Sequence, residues 1–241
     1  MGGYAPGKFS CTEEYDGSSW SSGNAVITGR GFGAGIGIQN AALLVGGQVI
    51  SNKSCVEEYD GTNYATGGAL PAILVQMGGF GTQNAGVSAG GRSGPAAVSA
   101  QTLHYNGTAW STHNNMNVAR CALRSSGVQN SGVVFGGTTG LTCTEEYNGD
   151  NWSAGGALIN AGVVEGAGSQ NAALSIGAQA TNTTDEYNGT AWGAGGTLIT
   201  ARRKGAGYGT QNAALYAGGS IKSCTEHYNG TSWSTGGALG G

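Results

Sequence analysis

Cys11-Thr12-Glu13-Glu14-Tyr15-Asp16-Gly17-Ser18-Ser19-Trp20 is a phrase that the chain repeats to its end. Its tyrosine returns as Tyr59, Tyr105, Tyr147, Tyr187 and Tyr228, at intervals of 44, 46, 42, 40 and 41 residues. A second phrase alternates with it: Gln-Asn, a run of small apolar residues, then usually Gly-Gly. It begins at Gln39, Gln83, Gln129, Gln170 and Gln211. A period of about 40–50 residues built from short strands is the signature of propeller blades. The expected fold is all-β, a β-propeller of four-stranded antiparallel blades.

The last repeat shows how one blade is written. Ala206 to Gly209 reads as a first strand, Gln211-Asn212 as a turn, and Ala213 to Ala217 as an apolar second strand ending at Gly218-Gly219. Ser223 to Tyr228 alternates polar and apolar residues, as a half-buried third strand does. Asn229-Gly230 predicts a two-residue type I′ hairpin, and the fourth strand starts at Thr231-Ser232-Trp233. Five residues after each repeat tyrosine comes an aromatic, in turn Trp20, Tyr64, Trp110, Trp152, Trp192 and Trp233. A ring at that place fills the wedge between blades or offers a platform on which a sugar stacks.

Five Gln-Asn halves stand against six Glu-Tyr halves. A blade without inner strands leaves the channel wall open, so the expectation is one domain over 1–241 with five complete blades plus a surplus outer hairpin. The hairpin covers 1–23 and the blades 24–67, 68–113, 114–155, 156–195 and 196–237. A six-bladed ring is the alternative. The hairpin would cap an edge, exchange with the one at Cys224 to Trp233, or pair with another chain into a homo-oligomer. A longer natural polypeptide would also explain the mismatch.

Glycine contributes 49 of 241 residues, roughly a fifth against a usual ~7%. Because the glycines are periodic and the segments between them apolar, packed β structure is expected rather than disorder. Charged residues are 10% and the net charge is −3. Phosphate neutralisation needs clustered lysine and arginine, so nucleic acid is not an expected partner. No run of 18 apolar residues predicts a membrane helix, and no membrane partner is expected. Met1 to Pro6 lacks the basic and apolar parts of a secretory leader. Either the protein folds in a cytoplasm or a leader precedes these residues.

Four of the five cysteines, Cys11, Cys55, Cys143 and Cys224, share one repeat position. Equivalent strands of neighbouring blades stand farther apart than a disulfide spans, so these and Cys121 are expected to be small buried residues. Acidic pairs precede the tyrosines at Glu13-Glu14, Glu57-Glu58, Glu145-Glu146 and Asp185-Glu186, with Glu226 beside His227. Neighbours on a strand point to opposite faces, so the two members of a pair do not form a catalytic dyad. Arg30, Arg120 and Arg202 recur nine residues before the repeat glutamine, and a fork from each to a third-strand carboxylate between blades is expected. Structural pairing is weighed there against calcium or sugar binding. His104, His113 and His227 have no metal spacing, and no nucleophile, base and orienter stand together. No catalytic residue, metal ligand or cofactor is expected. Asn106, Asn188 and Asn229 match glycosylation sequons, but their turn role explains them.

Nearly all the length variation falls between the second and third strands, at Gln48 to Ser54, Arg92 to Ala100, Thr138 to Thr142, Gln179 to Asn182 and Ser220 to Ser223. In a four-strand meander these connections share a face with the links between blades, and the Gln-Asn and Asn-Gly turns share the other. Loops on a rigid scaffold commonly carry binding. Asn52, Lys53, Arg92, Asn182 and Lys222 are the candidate contacts, with neutral drift of exposed loops as the alternative.

Val45-Gly46-Gly47, Glu58-Tyr59-Asp60 and Val134-Phe135-Gly136-Gly137 make the chain resemble kelch repeats along essentially its whole length. The resemblance implies a kelch-like propeller with its ligand site on the loop face. Kelch-type oxidases bind copper through tyrosines, histidines and a modified cysteine; no such set can be placed here, so that activity does not carry over. The wording Thr-Glu-Glu-Tyr-Asn-Gly with Gly-Thr-Gln-Asn-Ala-Ala-Leu is similar to repeats of marine bacteriophage tail-fibre and virion proteins. That likeness implies a non-enzymatic propeller, in a tail fibre or decorating the particle, that recognises a host-surface glycan or another virion protein. The protein would be virion-borne or extracellular and folded in a host cytoplasm. A repeat-symmetric multivalent lectin unrelated to virions and a pure assembly module are the alternatives.

Overall fold

The computed structural model describes residues 3–5, 7–48, 51–94, 96–138, 140–178, 181–219 and 222–240. Their regular structure is all strand, and no helix is long and apolar enough to cross a membrane. Two short hairpins come first: β1 (Gly3–Ala5) with β2 (Gly7–Phe9), then β3 (Thr12–Tyr15) with β4 (Trp20–Gly23). Five four-stranded antiparallel blades follow. The first is β5 (Ala34–Ile38), β6 (Ala41–Val45), β7 (Val56–Tyr59) and β8 (Tyr64–Gly67). The second is β9 (Gly78–Thr82), β10 (Ala85–Ala89), β11 (Thr102–Tyr105) and β12 (Trp110–His113). The third is β13 (Arg124–Val128), β14 (Ser131–Phe135), β15 (Thr144–Tyr147) and β16 (Trp152–Ala154). The fourth is β17 (Glu165–Ser169), β18 (Ala172–Ile176), β19 (Thr184–Tyr187) and β20 (Trp192–Ala194). The fifth is β21 (Ala206–Thr210), β22 (Ala213–Ala217), β23 (Thr225–Tyr228) and β24 (Trp233–Gly236). The protein is a five-blade β-propeller with one outer hairpin to spare.

Glycine is required where each first strand meets its Gln-Asn turn. Gly37, Gly81, Gly127, Gly168 and Gly209 hold φ between +100° and +118°. A β-carbon on any of them would run into the carbonyl oxygen four residues on, such as Ala41 or Ala85. Only glycine adopts that conformation without cost.

The outer turn corrects the type I′ expectation. Tyr15 pairs with Trp20, so four residues lie between the strands rather than two. Only the glycine has positive φ. The Asp or Asn ahead of it accepts from two backbone amides instead: Asp16 Oδ1 from Ser18 N at 2.8 Å and Ser19 N at 2.7 Å. Asn106, Asn148, Asn188 and Asn229 repeat this pattern. A side-chain oxygen that satisfies two loop amides replaces the strained backbone a tighter turn would need.

The core lies in the seams between blades. Ile36, Leu43 and Val45 of the first blade pack with Leu70, Leu74 and Met77 of the connector and with Leu103 and Tyr105 of the second. Three further seams repeat this between consecutive blades, around Val87, Phe135 and Leu174. The innermost strands pack in the order β5, β9, β13, β17, β21. Among the described residues no comparable contact joins β21 back to β5. The outer hairpin β3–β4 stands in that interval and touches both ends of the series.

Candidate functional site

The two members of each acidic pair face opposite ways, and each has its own structural partner. The first member holds the incoming connector. Glu57 accepts from Ile27 N at 2.8 Å and Thr28 N at 3.0 Å and pairs with Arg30. Glu145 pairs with Arg120 at 2.8 Å, and Glu226 with Arg202. All three arginine side chains are fully buried. Each also donates to at least one backbone carbonyl, as Arg30 Nη2 does to Leu44 O at 2.9 Å, Arg120 Nη1 to Cys143 O at 2.8 Å and Arg202 Nη2 to Tyr216 O at 3.0 Å, while Nε of Arg120 and of Arg202 is buried without a partner among the described residues. The expected pairing exists, but through a single N–O contact each rather than a fork, and it closes inside one blade, from connector to third strand, rather than between blades. A bidentate pair that does cross a seam is Arg124 with Glu165, at 2.7 and 2.8 Å. It lay outside the repeat arginine pattern.

The second member of each pair takes the tyrosine of the following repeat. Tyr59 Oη donates to Glu14, Tyr187 Oη to Glu146 at 2.6 Å and Tyr228 Oη to Glu186 at 2.6 Å. Tyr105 Oη donates to Glu58. Histidine substitutes twice: Tyr147 Oη bonds His104 Nε2 at 2.9 Å, and Tyr15 Oη bonds His227 Nε2 at 2.7 Å. These six bonds make a closed circle of outer hairpins, in which β3–β4 occupies a sixth place between the fifth blade and the first. The aromatics trace the same circle. Trp20, Trp152, Trp192 and Trp233 donate through Nε1 to Thr225, Thr102, Thr144 and Thr184 of the preceding repeat, at 2.9–3.0 Å. Tyr64 bonds Thr12 at 2.7 Å. Val56 cannot accept, and Trp110 turns to Gly68 O at 2.9 Å.

The cysteines are all free, but only Cys121 is buried. Cys55, Cys143 and Cys224 are half-exposed and Cys11 is exposed, which corrects the expectation of buried packing. Their shared position lies one residue ahead of the third strand, where the chain is still on the loop rim.

Each Gln-Asn turn lies beside the outer turn of its own blade, Asn40 next to Gly61 and Asn84 next to Gly107. Those turns form one face. The second-to-third connections sit with the inter-blade links on the other, where Gly47 N donates to Leu74 O at 3.3 Å and Gly91 N to Arg120 O at 2.9 Å. Asn52, Lys53, Arg92, Asn182 and Lys222 are all placed on this loop face. Asn52, Lys53 and Arg92 are half-exposed, and Asn182 and Lys222 are exposed. Asn52 Nδ2 donates to Ser93 O at 3.1 Å and so joins the loops of the first two blades. Residues 49–50, 95, 139, 179–180 and 220–221 of the variable connections lie outside the described residues.

The sequence reading missed a series of strained residues on the inter-blade links of this same face. Phe32, Gln76, Ala122 and Lys204, each two residues ahead of a first strand, have φ between +53° and +63°. Gln76 N donates to Phe32 O at 2.9 Å and Ala122 N to Gln76 O at 2.8 Å. Non-glycine residues held at positive φ cost energy and cluster at functional places. The signal in the sequence was the change of residue type at one position of an otherwise constant frame.

On the turn face a shallow cleft of about 280 Å³ lies at the seam of blades four and five, lined by Glu186, Tyr187, Asn188, Trp192 and Gln211. Trp192 is 7% exposed and its N–H is already bonded to Thr144, so its ring is a packing element rather than a platform. Among the described residues no three His, Cys, Asp or Glu side chains cluster as metal ligands.

No protein-family model matches the chain, and no curated protein matches it. The class that the fold and its faces define is a five-blade β-propeller with one uniform and one individual face.

Proposed function

We propose that the protein is a non-enzymatic recognition propeller, carried on a virion as part of a tail fibre or as decoration, that binds a host-surface glycan or another virion protein through its loop face. A single contrast supports this reading. Every outer turn on one face is tied by the same few bonds, whereas the opposite face carries five connections of differing length and positive-φ links of unlike residues. A rigid frame that varies only on one side suits selective contact. The likeness of the repeats to kelch and marine phage virion repeats supports the same setting, with the protein borne outside a cell.

The test is a glycan array and a whole-cell binding screen, run beside a variant in which all five second-to-third connections are replaced by Gly-Asn-Gly. Binding by the parent and loss in the variant is the expected result. Binding retained by the variant moves recognition to the turn face and favours a multivalent lectin. Absence of binding by both favours an assembly module. Asn182→Ala and Lys222→Ala, at exposed positions, are expected to lower binding without moving the melting temperature.

A further inference from the structure

The outer circle has six places and the inner circle five strand pairs. Among the described residues the sixth place therefore has an outer hairpin with no inner strand pair, and its walls show what is missing. The floor is β3, which ladders with β4 alone. Every other third strand has a partner on both edges. One wall is the fifth blade. Tyr208 is 52% exposed, while its counterparts Ile36, Phe80, Ser126 and Ala167 are 4–6% exposed. Leu215 is half-exposed where Leu43, Val87, Val133 and Leu174 are at 0%. The other wall is the first blade. A β-carbon on Gly35 would meet nothing within 4 Å, whereas one on Gly79 would press on Ile36 of the blade before it, and one on Gly166 on Phe135.

The glutamines tell the same story. Gln83, Gln170 and Gln211 each donate through Nε2 to two carbonyls of the preceding blade, one on its second strand and one on its third, at 2.8–3.1 Å. Gln39, which would do so across the sixth place, is exposed. The short hairpin β1–β2 is a separate sheet and does not complete β3.

We propose that this seat is a docking groove for a β-hairpin from outside residues 1–241, one written like the inner pair of a blade. The chemistry of the walls prescribes the guest. It must offer small residues, glycine above all, towards Tyr208 and Leu215. It must offer a bulky aliphatic towards Gly35, a glutamine towards the carbonyls of Ala214 and Tyr228, and a second strand that ladders onto β3. The order Gly-aliphatic-Gly-x-Gln-Asn-small-small-aliphatic meets these demands. An extended partner that completes an exposed sheet edge gains main-chain hydrogen bonds for affinity and side-chain pockets for specificity. A second copy of this chain does not meet the need. The described residues of each copy hold five inner pairs for six places, so exchange of these pairs among copies leaves as many seats open as it fills.

The probe is a synthetic peptide with the sequence of residues 33–47, titrated into the whole protein by calorimetry, with a scrambled peptide as control. The expected result is saturable 1:1 binding, a rise in melting temperature, and slowed amide exchange at residues 12–15. Gly35→Leu fills the open wall without touching the rest of the fold. It should leave the free protein's melting temperature unchanged and weaken the peptide at least about tenfold, as overfilling a packed site does. No saturable binding, or equal binding to Gly35→Leu, overturns the proposal. So does a sedimenting dimer that Gly35→Leu dissolves, because the seat would then belong to a second copy.

Discussion

Glu57 and Glu58 are neighbours on one strand and hold opposite sides of the blade, one through Arg30 and the other through Tyr105. Where the second blade lacks the arginine it also lacks the carboxylate: Leu74 and Leu103 fill the two places and pack together. Replacing both members of a buried ion pair by apolar groups is close to neutral, whereas removing one leaves a charge stranded. Glu226→Ala is therefore expected to cost about 3–5 kcal/mol in urea denaturation, because Arg202 stays buried without its partner. In the fourth blade Asp185 has no arginine and relies on Asn160, at 3.1 and 2.8 Å. Burial pushes its carboxyl above the usual range. His104 lies stacked on His113 and bonded to Tyr147, and burial, then the nearby His113, pushes it down to about 4. With a folded value below the unfolded 6.5, it stabilises the protein fully above pH 6.5. That contribution is lost as pH falls towards 4. The melting temperature should drop across that window, and drop less in His104→Gln.

At the scale of the strand and its turn, the constant residues are those that backbone geometry demands. Gly81 sits at φ +105° with a backbone oxygen in the way of any β-carbon. Gly81→Ala is expected to destabilise by more than about 1 kcal/mol, since the native conformation excludes the new side chain. Asn106→Ala removes the acceptor of two loop amides and should cost about 1 kcal/mol, the net worth of a typical hydrogen bond. Chemical denaturation of both variants checks the order. The apolar run Ala213 to Ala217 and the constant tyrosine and Asp-Gly or Asn-Gly that end each third strand made the strands legible, whereas the burial of both Thr225 and Glu226 shows that the third strand is covered on both faces. The outer turn was misread because Asn-Gly fits two turn types, and only the pairing of Tyr15 with Trp20 shows four residues between the strands.

For the whole molecule, closure depends on buried phenols. Burial pushes Tyr147, Tyr187, Tyr216 and Tyr228 up to about 12. A folded value above the unfolded 10.0 stabilises the protein fully below pH 10, and that contribution disappears as pH rises through 12. Tyrosinate absorbance and circular dichroism should therefore change together in that window, with the ring opening as the phenols ionise. Three of these tyrosines belong to the circle of outer hairpins, so their ionisation breaks the bonds that hold blade to blade.

The amino-acid sequence by itself determined the repeat, the four strands of each blade, the five-against-six count and the division into a uniform and a variable face. Each follows from short-range periodicity, from glycine where φ is positive, and from loop length, all of which a linear text carries. Only the tertiary structure decided which side chains meet. Arg30 reaches its own blade, Arg124 crosses a seam, and Tyr15 finds His227 from the far end of the chain. It also decided that Asn52 joins the second blade's loop and that, among the described residues, the sixth place lacks its inner pair. The reason is physical. A strand's own pattern specifies which face is buried, but what lies against that face depends on how the ring closes.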